Sequence, residues 1–279
     1  MNETNSFHVP QMQGTLRMKT EETRGGRSVA AAGVLVLMAM ASPAAADEAD
    51  ARTILAAMSD YMTGLETFAF SYDSTLEIVT TDDQKIGLAT SGTVSVARPG
   101  RIHATRRGGF SSVELGFDGS TFTLVGQNTN TYAQTAMEGS VDSMIDTLRA
   151  DYGVVLPGAD LLMANPQEVL LEGVTDVKDL GSGVIGGQEC DHIALRNDEL
   201  DLQIWIAQGD TPHPCRYVLS ARGVAHQPQY DIQISDWRTD VAADDLTVDI
   251  PDGATVVDLD AVTTLMQALP EIFVIGDAQ

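Results

Sequence analysis

The chain is short of cations, cysteine and aromatic residues. It sets 16 Lys and Arg against 40 Asp and Glu, for a formal net charge of −24 at pH 7. The acidic residues are scattered rather than gathered in a tail, as on a solvated surface. Phosphate binding needs clustered cations, so this balance excludes nucleic acid and anionic membrane surfaces as general partners. Two cysteines, Cys190 and Cys215, are too few for a disulfide-rich scaffold. No HxH, HExxH or CxxC spacing occurs, so neither a metal nor a cofactor is expected. G-x-S-x-G, P-loop and G-x-G-x-x-G signatures are also missing, and no catalytic residue is assigned. Beyond residue 46 no apolar run is long enough for a transmembrane helix, and no repeat or low-complexity linker interrupts the chain.

What is present begins with a leader. Residues 24–46 read RGGRSVAAAGVLVLMAMASPAAA. Arg24 and Arg27 form a positive start, Ala30 to Met40 an apolar core too short to span a bilayer, and Ala44-Ala45-Ala46 a cleavage site. Residues 1–46 are therefore expected to be a cleaved signal peptide, with Met1 or Met18 as the start, and the protein to be periplasmic. No cysteine follows the apolar core to carry a lipid anchor. Residues 47–255 are read as one domain and 256–279 as a tail of uncertain structure.

Periodicity sets the elements. Ile54, Leu55, Met58, Tyr61, Met62 and Leu65 form one helical stripe, with Asp50 as N-cap and Gly64 near its end. Alternation from Phe68 to Thr80 and from Ile86 to Ala97 predicts two long strands around a turn at Thr81–Gln84. Shorter strands follow at 101–107, 111–117, 121–125 and 130–134, with a hairpin at Asp118-Gly119. Val141, Met144, Ile145 and Leu148 mark a helix capped by Ser140, and Asn165-Pro166 starts another that runs to Gly173. Strands resume at 174–180, 183–196, 200–207, 215–222 and 229–237, with Gly181-Ser182-Gly183 as the first turn and 246–250 as a candidate last strand. The fold class is α+β: two antiparallel meanders whose sheet curls through its own twist, Gly92 and Gly186-Gly187 easing the bends. Amphipathic helices would cover the concave face and either fill it or leave a pocket.

Several motifs resemble a known family. ADLLMANP (159–166), the G-x-x-C-x-H-x-A-x-R pattern of Gly187 to Arg196, and QIWI (203–206) are similar to hallmarks of the DUF2092 family of predicted periplasmic proteins. Residues 91–109 and 227–237 add to the likeness, which covers roughly residues 50–255. That family is similar in fold to the LolA/LolB lipoprotein carriers. The resemblance implies a curved antiparallel half-barrel with helices over its concave face, holding an acyl chain, lipid or lipoprotein. It does not imply a cysteine near Cys215.

The expected function is thus non-enzymatic binding of a hydrophobic ligand or lipidated protein. Phe68, Phe70, Leu76, Val94, Phe117, Leu124 and Trp205 are the candidate cavity residues of the strands, and Met58, Met62, Met144 and Leu162 those of the lid. Met suits adaptable apolar surfaces. Arg98, Arg101, Arg106 and Arg107 make a basic patch within ten residues. It suits a lipid headgroup or an envelope protein partner, or else a solvated edge strand guarded by charge and Pro99. An envelope interaction or sensor domain with a filled core is the alternative, and a hydrolase the third reading. Cys190 and His192 share a strand face but stand about 7 Å apart at the base, a poor dyad. A Cys190–Cys215 disulfide stays open. Strand pairing sets the two cysteines two strands apart, near 10 Å, unless a bulge, strong curvature or a different strand order brings them within about 7 Å.

Overall fold

The computed structural model describes residues 48–258 apart from 155 and 157. The expected signal peptide, with its cleavage site, and residues 259–279 lie outside the described residues.

One twelve-stranded sheet, curved but not closed into a barrel, carries the fold. Its first meander comprises β1 (Thr67–Val79), β2 (Lys85–Ala97), β3 (Arg101–Gly108), β4 (Ser112–Phe117), β5 (Thr121–Gly126) and β6 (Thr131–Ala136). Its second comprises β7 (Asp176–Ile185), β8 (Gln188–Arg196), β9 (Leu200–Ala207), β10 (Pro214–Ala221) and β11 (Gln229–Arg238). The meanders join where β1 pairs antiparallel with β11, setting Tyr72 opposite Ile234 and Leu76 opposite Tyr230. A two-residue strand, β12 (Thr255–Val256), pairs parallel with β6 at one edge, and β7 forms the other.

Helix α1 (Glu48–Gly64) starts before the expected Asp50 cap and buries Ala51, Leu55, Met58 and Met62 along one stripe. Helix α2 (Val141–Tyr152) has the expected Ser140 cap, in a capping box with Ser143. It runs one turn past Leu148 because Gly153, at φ 64°, takes the left-handed conformation that ends it. A 3₁₀ turn (Ala159–Leu162) and the short α3 (Pro166–Leu170) complete the inner layer. These elements pack with Phe68, Val96, Phe122, Leu124, Ile193 and Ile204 in one core on the sheet's inner face.

Bulges decide details that alternation misses. The expected turn at Gly181-Ser182-Gly183 is instead a bulge between Asp179 and Ser182, inside β7. The hairpin turns at Gly186-Gly187, where φ of 58° and 89° suits a two-residue loop whose left-handed positions glycine takes without strain. In β11 an extra residue, Asp236 at φ 51°, shifts the register against β1. Trp237 thereby moves to the inner face, stacking on Phe68 and Phe70 with centroids 5.4 and 5.7 Å away.

A bulge at Cys215 also closes the disulfide. Cys190 pairs with Ala207 at the end of β9, and Cys215 returns just beyond it. The Cα atoms stand 6.9 Å apart, and the bridge packs on Ala207. Residues 246–250 form no strand. The chain from Thr239 crosses the outer face of the first meander as a strap: His103 Nδ1 lies 3.1 Å from the Asp245 carbonyl, and Val248 sits over Gly116.

Candidate ligand cleft

The covering segment from Gly158 to Leu171 rests on the inner face through Leu161, Leu162 and Leu170, but polar contacts hold it in place. Arg98 donates through Nη2 to the carbonyls of Leu162 and Met163, at 3.0 and 3.1 Å. Thr63 Oγ1 donates to the Ala164 carbonyl at 2.7 Å, and the Ala164 amide to Asp142 at 3.1 Å. Arg149 pairs with Asp160 at 3.1 Å. Burial lowers the Arg98 guanidinium from its ordinary value, and nearby Asp142 opposes that shift.

Between this segment and strands β8 to β11 the helices leave the sheet uncovered. A cleft of about 330 Å³ opens there. Leu195, Leu202, Tyr217, Leu219 and Tyr230 line its sheet side, and Leu156, Val169 and Leu170 its roof. Arg149, Asp160, Glu172 and Arg196 stand among the lining residues as its charged groups. Arg196 is itself paired with Asp201, Nη2 to Oδ2 at 2.7 Å, which holds the Asp201 carboxyl below its ordinary range. Burial raises the hydroxyls of Tyr217 and Tyr230 above the ordinary phenol value, so both remain protonated.

The structure gathers most of the sequence candidates elsewhere. Phe68, Phe70, Val94, Phe117 and Leu124 belong to the closed core, together with Met58, Met62, Met144 and Leu162. Leu76 lies on the inner face beyond the helices, paired with Leu88 and 39% exposed. Trp205 lines no inner cavity. Its strand parity turns it outward, between the ring of His192 at 4.0 Å and the guanidinium of Arg216 at 5.2 Å. The basic patch does not form as one surface, nor is β3 an edge strand, since it lies between β2 and β4. Arg98 turns inward to the covering segment, and Arg106, in the register of the inner-facing Ile102 and Ala104, donates to Ser111 Oγ at 3.2 Å. Arg101 and Arg107 are exposed on the opposite face. Cys190 carries no thiol, because it is bonded to Cys215. Among the described residues no three His, Cys, Asp or Glu side chains converge as metal ligands.

Sequence reasoning missed the cleft tyrosines. Alternation does set Tyr217 with Leu219 and Tyr230 with Ile232 on one face. Nothing local marks where the helices stop short.

The profile of a family described as predicted periplasmic protein, DUF2092, matches residues 51–260. The chain belongs to this family. Its periplasmic location, expected from the leader, is that of the DUF2092 family. The sequence matches no curated protein. Among solved structures, the chain is similar to the Mycobacterium tuberculosis lipoprotein LppX, at 17% identity and TM-score 0.43, covering 70% of this chain and 99% of that one. It is similar to LprF from Mycobacterium bovis at 15% identity and TM-score 0.44, covering 75% and 99%. It is also similar to a chain of the Pseudomonas aeruginosa MucA/MucB complex at 13% identity and TM-score 0.42, covering 72% and 61%. Among the described residues no helix is long and apolar enough to cross a membrane.

Proposed function

We propose that this DUF2092 protein is a non-enzymatic periplasmic binding protein that takes one acyl chain, of a lipid or a lipidated protein, in the cleft beneath residues 158–171. The cleft itself carries the reading. Its volume of about 330 Å³ falls at the lower end of small-molecule sites. Leucine, valine and tyrosine dominate its walls, and polar contacts that water can replace hold its roof.

Native mass spectrometry of protein purified from the periplasm tests this directly, and a co-purifying lipid is expected. Delipidated protein should then take up a single-chain acyl probe one to one. Val169→Trp fills the cleft from a half-exposed helix position, so it should weaken uptake about tenfold or more while leaving the melting temperature nearly unchanged. No uptake by the wild type at micromolar concentrations refutes the reading.

A second reading, docking of an envelope protein, draws on the edge strand β7. Leu180 and Val184 there are 47% and 71% exposed, beside backbone groups open to an added strand.

A further inference from the structure

The cleft has one polar feature that the binding of a bare acyl chain does not use. Tyr217 is 1% exposed and lines the cleft alongside Leu195, Leu202 and Leu219. Among the described residues nothing hydrogen-bonds its hydroxyl, and the hydroxyl is not sealed from solvent. A phenol stays neutral in such surroundings and can donate one hydrogen bond. Left without a partner against apolar walls, it favours a ligand that brings an acceptor.

The charges around the cleft narrow the ligand further. Both of its arginines are already committed, Arg149 to Asp160 and Arg196 to Asp201. The remaining charged lining residue, Glu172, is a carboxylate. A free fatty acid would bring its own carboxylate beside Asp160 and Glu172 with no uncommitted arginine in the lining. Arg106 acts on Tyr230 from outside the lining, and its guanidinium already donates to Ser111.

Building on the acyl-chain reading, we propose that the cleft selects an uncharged, oxygen-bearing acyl lipid, such as an acyl ester, over the free fatty acid, and that Tyr217 is the donor that sets this preference. The ester carbonyl would accept from the Tyr217 hydroxyl while the chain lies along Leu202 and Val169.

Three ligands of one chain length separate the contributions: monolaurin, laurate and dodecane, each measured by competition in native mass spectrometry near neutral pH. Monolaurin should bind about tenfold or more tighter than laurate. Tyr217→Phe should weaken monolaurin roughly fivefold and leave dodecane unchanged. Unchanged dodecane binding also shows that the variant is folded with an intact cleft. Laurate binding as tightly as monolaurin, or monolaurin indifferent to Tyr217→Phe, overturns the selectivity and leaves the acyl reading standing. A wild type that binds none of the three ends the acyl reading, and this inference with it.

Discussion

His213 shows how one residue can carry a pH dependence. Its ring stacks on Trp237, centroids 4.9 Å apart, and is 8% exposed. Burial depresses its pKa, and the contact with the Thr211 carbonyl opposes this only partly. The folded protein therefore holds His213 neutral, while the unfolded chain takes up a proton near pH 6.5. Stability is full above that pH, falls as pH drops through it, and levels off below the depressed folded value. His192 shifts the same way, first through burial and further through Arg216. Denaturant melts at about pH 7.5 and 5.5 should show weaker protein at the lower pH. His213→Phe keeps a stacking ring and should flatten part of that fall, whereas an unaltered slope assigns the dependence to other groups. None of this was legible in the sequence. In the sequence His213 is one of five scattered histidines, and the Asp236 bulge is what brings Trp237 to it.

At the scale of elements, the helices and most strands were legible because their signals are local. The stripe from Ile54 to Leu65 and the Ser140 cap need only their own neighbours. Bulges, by contrast, depend on the partner strand. The Cys215 bulge brings a disulfide within reach that regular pairing sets two strands apart. The strap is another such case. A Cβ on Gly116 would lie 2.0 Å from Val248 Cγ2, so the strap's seat requires glycine there. Gly116→Ala should cost about 1–3 kcal/mol in denaturant unfolding. Val248→Ala in the same chain should restore part of that loss, because it removes the methyl groups that collide. Additive losses in the double variant would mean that the strap does not rest on Gly116.

For the whole molecule, the join between β1 and β11 matters most. Each meander is built from local hairpins, but the core runs across the join, from Phe122 and Leu124 on one side to Ile193 and Ile204 on the other. The two halves should therefore unfold as one. Tryptophan emission, reporting Trp205 in the second meander and Trp237 beside the join, should trace the same urea transition as far-UV dichroism. Separate midpoints would show that the meanders are independent units. Most candidate cavity residues proved to be core because α1 and α2 cover their part of the sheet, and the cleft opened over β8 to β11, where the roof is only the short α3 and the residues before it.

By itself, the sequence determined the curled antiparallel fold, its helices and its family, because alternation, helical stripes, caps and motif spacing are written in consecutive residues. The tertiary structure alone decided which part of the concave face stays open, which way Trp205 and the arginines point, and whether the cysteines meet. Those outcomes depend on register shifts of a single residue and on where helices end over a distant part of the sheet. A period-two pattern reads the same on both sides of a bulge, so the chain's own alternation carries no record of them.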